Sequence, residues 1–252
     1  VISERTKHVV MQAKKAGHIV VIATGRPHRA SIDYYHELEL DTPMVNFNGA
    51  LIHHPTDKKW DVLHSPLPVR TALKIVQTCY DINVNNIMAE IGDHIYLDQH
   101  DQAFLDILHV NNEVFPITIG SLKNELTEDP TSLLIHPTAD QVESIRQHLD
   151  DDHAEVIEHR KWGAPWEIIE IVRKGMSKAV GLERIAHYFD IPQDRIIAFG
   201  DEDNDLEMIE YAGVGVAMAN GIDELKNVAN FVTDSNEQDG IGLFLSRYLK
   251  LS

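Results

Sequence analysis

Ile196-Ile197-Ala198-Phe199-Gly200-Asp201-Glu202-Asp203-Asn204-Asp205 turns from a wholly apolar run into a cluster of acids. The uncharged run reads as a buried strand, and Gly200 breaks it. In open α/β sheets ligands bind beyond the carboxyl ends of the strands, where this cluster would stand. Carboxylates this close repel one another unless a cation or water lies among them. An EF-hand loop counted from Asp201 would need glycine at its sixth position and glutamate at its twelfth. The chain has Leu206 and Ala212 there, so that geometry is excluded. Two readings stay open at this point. One is a solvated loop in which Asp203 or Asn204 caps the next helix; the other is a Mg2+ site completed by water and a phosphate oxygen.

Working outward, residues 205–211, 222–228 and 241–249 read as helices and 214–218 and 230–233 as strands. Upstream, 177–189 is an amphipathic helix with Val180, Leu182, Ile185, Ala186 and Phe189 inward, closed by Pro192. At the start of the chain, 3–16 reads as a helix with Ser3 as N-cap and Gly17 just past its end. Residues 18–23 are a β-branched apolar run of the kind found in parallel strands. Thr24-Gly25-Arg26-Pro27 breaks it and leads into a helix to about residue 38. Residues 44–47 form a second strand ending in Asn48-Gly49, and His53-His54 fall in a turn beside Pro55.

Between about 67 and 172 the texture changes. Helices are expected over 69–80, 103–110 and 142–149, with strands over 86–91, 94–97, 132–136, 155–159 and 166–172. Gly92-Asp93 is a hairpin turn signal. The expectation is an α/β parallel-sheet core, residues 1–66 and 173–252, interrupted by an inserted α+β domain over 67–172.

Composition narrows the functional classes. The 252 residues can bury a full core, and 43% hydrophobic content is ordinary. A formal charge of −18 argues against a nucleic-acid partner, which needs clustered Lys and Arg. The single cysteine, Cys79, forms no internal disulfide and suits a reducing compartment. No apolar stretch approaches the ~20 residues that span a bilayer, so no membrane partner is expected. No secretory leader opens the sequence, and a cytoplasmic location is the default. The fifteen histidines are scattered and show no zinc spacing.

Two further features carry chemistry. Lys178 lies in the first turn of a helix, where the dipole disfavours a cation unless an anion is held there with it. Thr24-Gly25-Arg26 puts a hydroxyl and a flexible residue between a strand and a helix, as a phosphate cradle would. Asn48-Gly49 repeats that pattern one strand later. A hydroxyl, an ammonium and a carboxylate cluster on one sheet edge are the equipment of Mg2+-assisted phosphoryl transfer.

With these motifs in place the chain resembles the haloacid dehalogenase superfamily, and within it the Cof-type (IIB) phosphatases. The matching segments are Ile22-Ala23-Thr24-Gly25-Arg26-Pro27, Asn46-Phe47-Asn48-Gly49-Ala50, Lys174-Gly175-Met176-Ser177-Lys178 and Gly200-Asp201-Glu202-Asp203-Asn204-Asp205. Val216-Ala217-Met218-Ala219-Asn220 and Val232-Thr233-Asp234 continue the series. The resemblance implies a Rossmann-like core with a cap closing over the site, and hydrolysis of small phosphorylated metabolites such as sugar phosphates. It implies that Thr24 bonds the phosphoryl group, that Lys178 neutralises it, and that Asp201 ligates Mg2+. Asp205 would support the metal, through its water or by orienting Lys178. Asn204 would touch the phosphate, and Arg26 and Asn48 would help bind the substrate. Specificity would sit in the cap, with the hairpin over 86–97 and the segment 161–166 as candidates.

The resemblance also implies a first motif, Asp-x-Asp-Gly-Thr, carrying the nucleophilic aspartate and the acid/base aspartate. It belongs ahead of the helix that begins at Ser3, and no copy occurs elsewhere in the chain. The expectation is that this strand and turn lie upstream of Val1. Two alternatives stay open: a phosphomutase of the same superfamily, and a catalytically inactive binder of phosphorylated metabolites.

Overall fold

Ser3 accepts the amide of Thr6 through its Oγ at 3.1 Å and so caps the first helix, which Gly17 stops at φ 90°. In the computed structural model, residues 2–107, 115–162 and 167–251 are described. In chain order the leading elements are α1 (Glu4–Lys15), α2 (Ile32–Glu37), β1 (Met44–Asn46), β2 (Leu51–His53) and β3 (Leu63–His64). Then come α3 (Val69–Ile82), β4 (Asn86–Ile91), β5 (His94–Leu97), α4 (Gln102–Ile107), β6 (Ile117–Ile119) and α5 (Leu122–Glu125). They are followed by β7 (Ser132–His136), α6 (Val142–His153), β8 (Ile157–Lys161) and β9 (Ile169–Arg173). The chain closes with α7 (Lys178–Tyr188), β10 (Ile197–Gly200), α8 (Leu206–Tyr211), β11 (Val214–Met218), α9 (Asp223–Val228), β12 (Phe231–Thr233) and α10 (Gly240–Tyr248).

These elements fall into two units: Val1–Arg26, Ser31–Leu63 and Ser177–Ser252 in the first, Pro27–Ala30 and His64–Met176 in the second. In the first, β10, β11 and β12 run parallel, with Ala198 opposite Gly215 and Ala217 opposite Val232. Their covered face packs Ala198, Met208, Ile209, Ala217 and Leu225 together. The strand expected over 18–23 is not formed. Among the described residues, Ile22 and Thr24 engage Val45 by backbone bonds of 2.9 Å, which leaves a single bridge at Ala23. Among the described residues no ladder joins this edge to β10.

Three further expectations change in this unit. β1 does not run straight into a loop. It turns back through Phe47–Gly49 into the antiparallel strand β2, so His53 is a strand residue and not part of a turn. The helix expected after Pro27 is broken in two: a 3-10 turn over His28–Ala30 comes first, and α2 starts at Ile32, with Arg29 and Ser31 held by Glu90 and Asn46. The cap of the turn after β10 is Glu202, not Asp203 or Asn204.

The second unit is a six-stranded sheet of order β6-β5-β4-β7-β9-β8, mostly antiparallel. Helices α3 and α6 cover one face, with Ile75, Val76, Cys79, Ile145 and Leu149 against Ile87, Ala89, Leu133 and Ile171. Burial pushes the Cys79 thiol up to about 12, which leaves it unreactive as a nucleophile. The hairpin around Gly92-Asp93 forms, with Glu90 opposite Ile95. Residues 108–110 of the expected helix, and Gly163 to Trp166 of the strand and specificity segments, lie outside the described residues.

Nothing in the sequence marks Pro27–Ala30 as part of this unit. The cause is a buried ion pair. The Arg29 guanidinium meets the Glu90 carboxylate, Ser132 Oγ donates to the other Glu90 oxygen at 2.7 Å, and the Arg29 amide donates to Asp93 at 3.2 Å. Both charged side chains are about 95% covered, at 4% and 5% exposure. Glu90→Ala would leave the guanidinium buried without its partner and cost about 3–5 kcal/mol in chemical denaturation. Arg29→Ala together with Glu90→Ala should cost clearly less than the two single losses summed, and plain additivity would refute the coupling.

Candidate active site

Lys178 is the first residue of α7, behind the N-cap Ser177, whose Oγ accepts the amide of Val180 at 3.3 Å. Its ammonium lies 2.8 Å from Asp205 Oδ1 and donates to Asn204 Oδ1 at 3.0 Å. The two charged side chains are only 9% and 5% exposed. The cation disfavoured at a helix start is therefore compensated by a buried carboxylate.

Asp205 reaches Lys178 because the loop folds back on its own strand. Its Oδ2 accepts the amides of Asp201 at 3.0 Å and Glu202 at 3.3 Å, forming a capping box with Glu202. Gly200 permits this, since a Cβ there would collide with the Asp205 side chain. Charge-assisted bonds of this kind are roughly twice as strong as neutral ones. The apolar-to-acidic transition therefore builds one structured loop.

A second turn joins it. Asn204 Nδ2 donates to Asn48 Oδ1 at 3.0 Å, which extends a continuous chain from Asn48 through Asn204 and Lys178 to Asp205. Asn48 is presented by a turn in which Phe47, Asn48 and Gly49 all have positive φ, of 48°, 51° and 93°. A bulky residue such as phenylalanine rarely adopts that region, and such strain concentrates at functional sites. Gly49 also meets α7 closely: a Cβ on it would overlap the Ser177 carbonyl oxygen. The amide of Asn48 donates to the Thr24 carbonyl at 3.2 Å, and Thr24 Oγ1 accepts the amide of Arg26 at 3.1 Å. Gly25 lies directly against the Asn48 and Asn204 amides.

Thr24, Asn48, Lys178, Asp201, Asn204 and Asp205 are thus brought together within the first unit. Arg26 takes part through its backbone, while its guanidinium lies over the Tyr34 ring at 5.8 Å. Asp205 has both oxygens engaged, by Lys178 and by two amides, and so stands as the orienting partner of Lys178. Asp201 is only partly buried and its carboxylate meets Asn220 Nδ2 at 3.4 Å, a weak contact. Burial, and then the negative charge of Asp205, push the Asp201 carboxyl above its ordinary range. Burial and the neighbouring acids do the same to Glu202. Among the described residues no three His, Cys, Asp or Glu side chains form a ready-made metal cage.

Sequence reasoning missed Asn220, Asn46 and His53. Asn220 precedes Gly221 at the end of β11, a turn signal like Asn48-Gly49, and the next turn bonds the Asp201 carbonyl through Ile222 N at 3.0 Å. Asn46 and His53 carried no such signal.

Comparisons with known proteins give the family of the chain. The family model for haloacid dehalogenase-like hydrolases matches residues 1–245. The chain is 50% identical over 250 residues to 5-amino-6-(5-phospho-D-ribitylamino)uracil phosphatase YitU of Bacillus subtilis, covering 99% of this chain and 92% of that protein. It is 27% identical to pyridoxal phosphate phosphatase YbhA of Escherichia coli, over 94% of this chain and 89% of that one. A crystal structure of a haloacid dehalogenase-like hydrolase from Bacteroides thetaiotaomicron superposes with a TM-score of 0.84 at 22% identity, over 98% and 93% of the two chains. That likeness shows the shared fold. No helix among the described residues is long and apolar enough to cross a membrane.

Proposed function

This chain belongs to the haloacid dehalogenase-like hydrolases, and from that premise we propose that it is a Mg2+-dependent phosphatase of small phosphorylated metabolites. The observation that carries the reading is the buried ammonium of Lys178, held between Asp205 and Asn204 beside the Thr24 turn. A phosphoryl group drawn against Lys178 meets a cation oriented in advance, which is the main requirement of phosphoryl transfer. The Thr24 hydroxyl accepts from Arg26 and keeps its own proton to donate to a phosphoryl oxygen. The second amide hydrogen of Asn204 does the same.

The donor set fits Mg2+ in part. Asp201 offers a carboxylate bound only weakly by Asn220, and Mg2+ commonly takes one or two carboxylates with waters and a phosphate oxygen. Bound there, the ion would supply charge neutralisation and orientation of the phosphoryl group. Asp205 acts behind it, through Lys178.

The nucleophile in this reading is the first aspartate of the Asp-x-Asp-Gly-Thr motif that the family resemblance implies. Its carboxylate forms a bond to phosphorus as the ester P–O bond breaks, and the leaving oxygen takes a proton from a neighbouring acid. Water then adds to phosphorus, releasing inorganic phosphate and restoring the carboxylate. Residues 20–24 are only partly buried and Ile22 and Thr24 pair on one side alone, which leaves this edge open to a further strand.

The test is phosphate release by the full-length protein from a panel of phosphomonoesters, with Mg2+ and with a chelator. The substrate named for the Bacillus subtilis relative, 5-amino-6-(5-phospho-D-ribitylamino)uracil, heads the panel because of the 50% identity. Release without any need for Mg2+, or none from any phosphomonoester, would sink the proposal.

A further inference from the structure

We infer that Asn46 and His53 are positioning residues, a buried clamp that sets the Thr24–Arg26 turn against the strained turn presenting Asn48. The inference rests on the phosphatase reading above and adds two residues to it.

Asn46 is the last residue of β1 and is wholly buried. Its Nδ2 donates to the Arg26 carbonyl at 2.9 Å and to Ser31 Oγ at 2.8 Å. A backbone carbonyl can only accept, so the orientation of the amide is decided by its partner. Asn46 Oδ1 consequently faces His53 Nε2, 2.9 Å away, and His53 must donate from that nitrogen. Both hydrogens and the oxygen of one buried amide are thereby used, each by a different segment. A burial of this kind is tolerated only when it is satisfied throughout.

The segments it joins are those of the site. The Arg26 carbonyl, which also takes the Phe47 amide at 3.3 Å, ends the turn that carries Thr24, whose Oγ1 accepts the Arg26 amide. Ser31 is the residue just before α2, so the clamp also anchors the far side of the Arg26 loop. The residue after Asn46 begins the turn of positive φ that aims Asn48 at Asn204 and Lys178. That turn is strained and would relax if its root were loosened. His53 stands on β2, paired opposite Met44, and its Nε2 meets Asn46. In this inference its effect on the reaction passes through the amide of Asn46.

The clamp is tested in the full-length protein with His53→Leu, His53→Gln and Asn46→Ser. Two readouts are taken together: amide hydrogen exchange at Arg26 and Asn48, and kcat and KM for p-nitrophenyl phosphate. His53→Leu should speed exchange at both amides by ~10-fold or more, and lower kcat by ~10-fold or more with KM within about twofold, since small displacements of positioned groups are costly. His53→Gln keeps an N–H donor and should restore both quantities. Asn46→Ser should reproduce the His53→Leu pattern with a larger loss. Unchanged exchange and unchanged kcat in both His53→Leu and Asn46→Ser would overturn the inference, as would failure of His53→Gln to rescue. An inactive wild-type protein would instead overturn the phosphatase reading, and the exchange rates alone would then decide whether the clamp exists.

Discussion

Asp201→Asn in the full-length enzyme should lower Mg2+-dependent kcat for an aryl phosphate by ~10²-fold or more, the scale of losing one preorganised electrostatic element. Amide replaces carboxylate at nearly the same volume, so the change removes charge and little else. The backbone of Asp201 is secured independently of its side chain, by its amide on Asp205 Oδ2 at 3.0 Å and its carbonyl under Ile222 N at 3.0 Å. Burial and the Asp205 charge already disfavour a second carboxylate here. The metal-free variant should therefore melt at the same temperature as the metal-free wild type, or above it. Thermal melting with chelator and steady-state kinetics over a Mg2+ titration measure the two halves. Near-normal kcat at saturating Mg2+ would refute the metal role of Asp201. A collapse of the fold would show that the carboxylate is structural.

Lys178→Met should act on both chemistry and stability. Methionine keeps much of the apolar stem and deletes the ammonium, leaving Asp205, 5% exposed, with its two backbone donors and no cation. Breaking a buried pair in this way costs about 3 kcal/mol or somewhat more, less than for a carboxylate stripped of every partner. A drop in melting temperature should follow, so kinetics belong well below it. There, kcat should fall by ~10²–10³-fold with a smaller change in KM, because the charge matters most as the phosphoryl group transfers. Loss confined to KM would mean that Lys178 only binds ground-state substrate. Lys178→Arg is not expected to rescue, since a planar fork cannot reproduce a point charge between Asp205 Oδ1 and Asn204 Oδ1.

Much of this site was legible before any coordinates, for reasons that differ from residue to residue. The loop after β10 declared itself because an apolar strand and clustered acids are both local signals. Lys178 could be suspected from its position at a helix start, yet its burial could not, since the covering residues lie on other elements. For Asp205 two roles stood open, support of the metal through its water or orientation of Lys178, and both of its oxygens are engaged, by Lys178 and by two amides. The 18–23 segment has the composition of a buried strand but lacks a second neighbour, and composition cannot count neighbours. Arg29 looked like an ordinary residue of an early helix. Its meetings with Glu90, 61 positions away, and with Asp93 tie Pro27–Ala30 to the second unit.

The failed pairing over 18–23 and the turn back into β2 aside, the sequence by itself determined most of the helices and strands, where the carboxylates leave the sheet, and the family to which the chain belongs. These follow from periodicity and turn chemistry, which act over a few residues. The tertiary structure alone decided that Lys178 is neutralised by Asp205, that Asn204 bridges it to Asn48, and that Asn46 ties the Arg26 loop to His53. Each of those contacts depends on close approach between segments distant in sequence, such as Gly49 against Ser177. Packing and hydrogen-bond satisfaction set such approaches over the whole fold, and no local pattern encodes them.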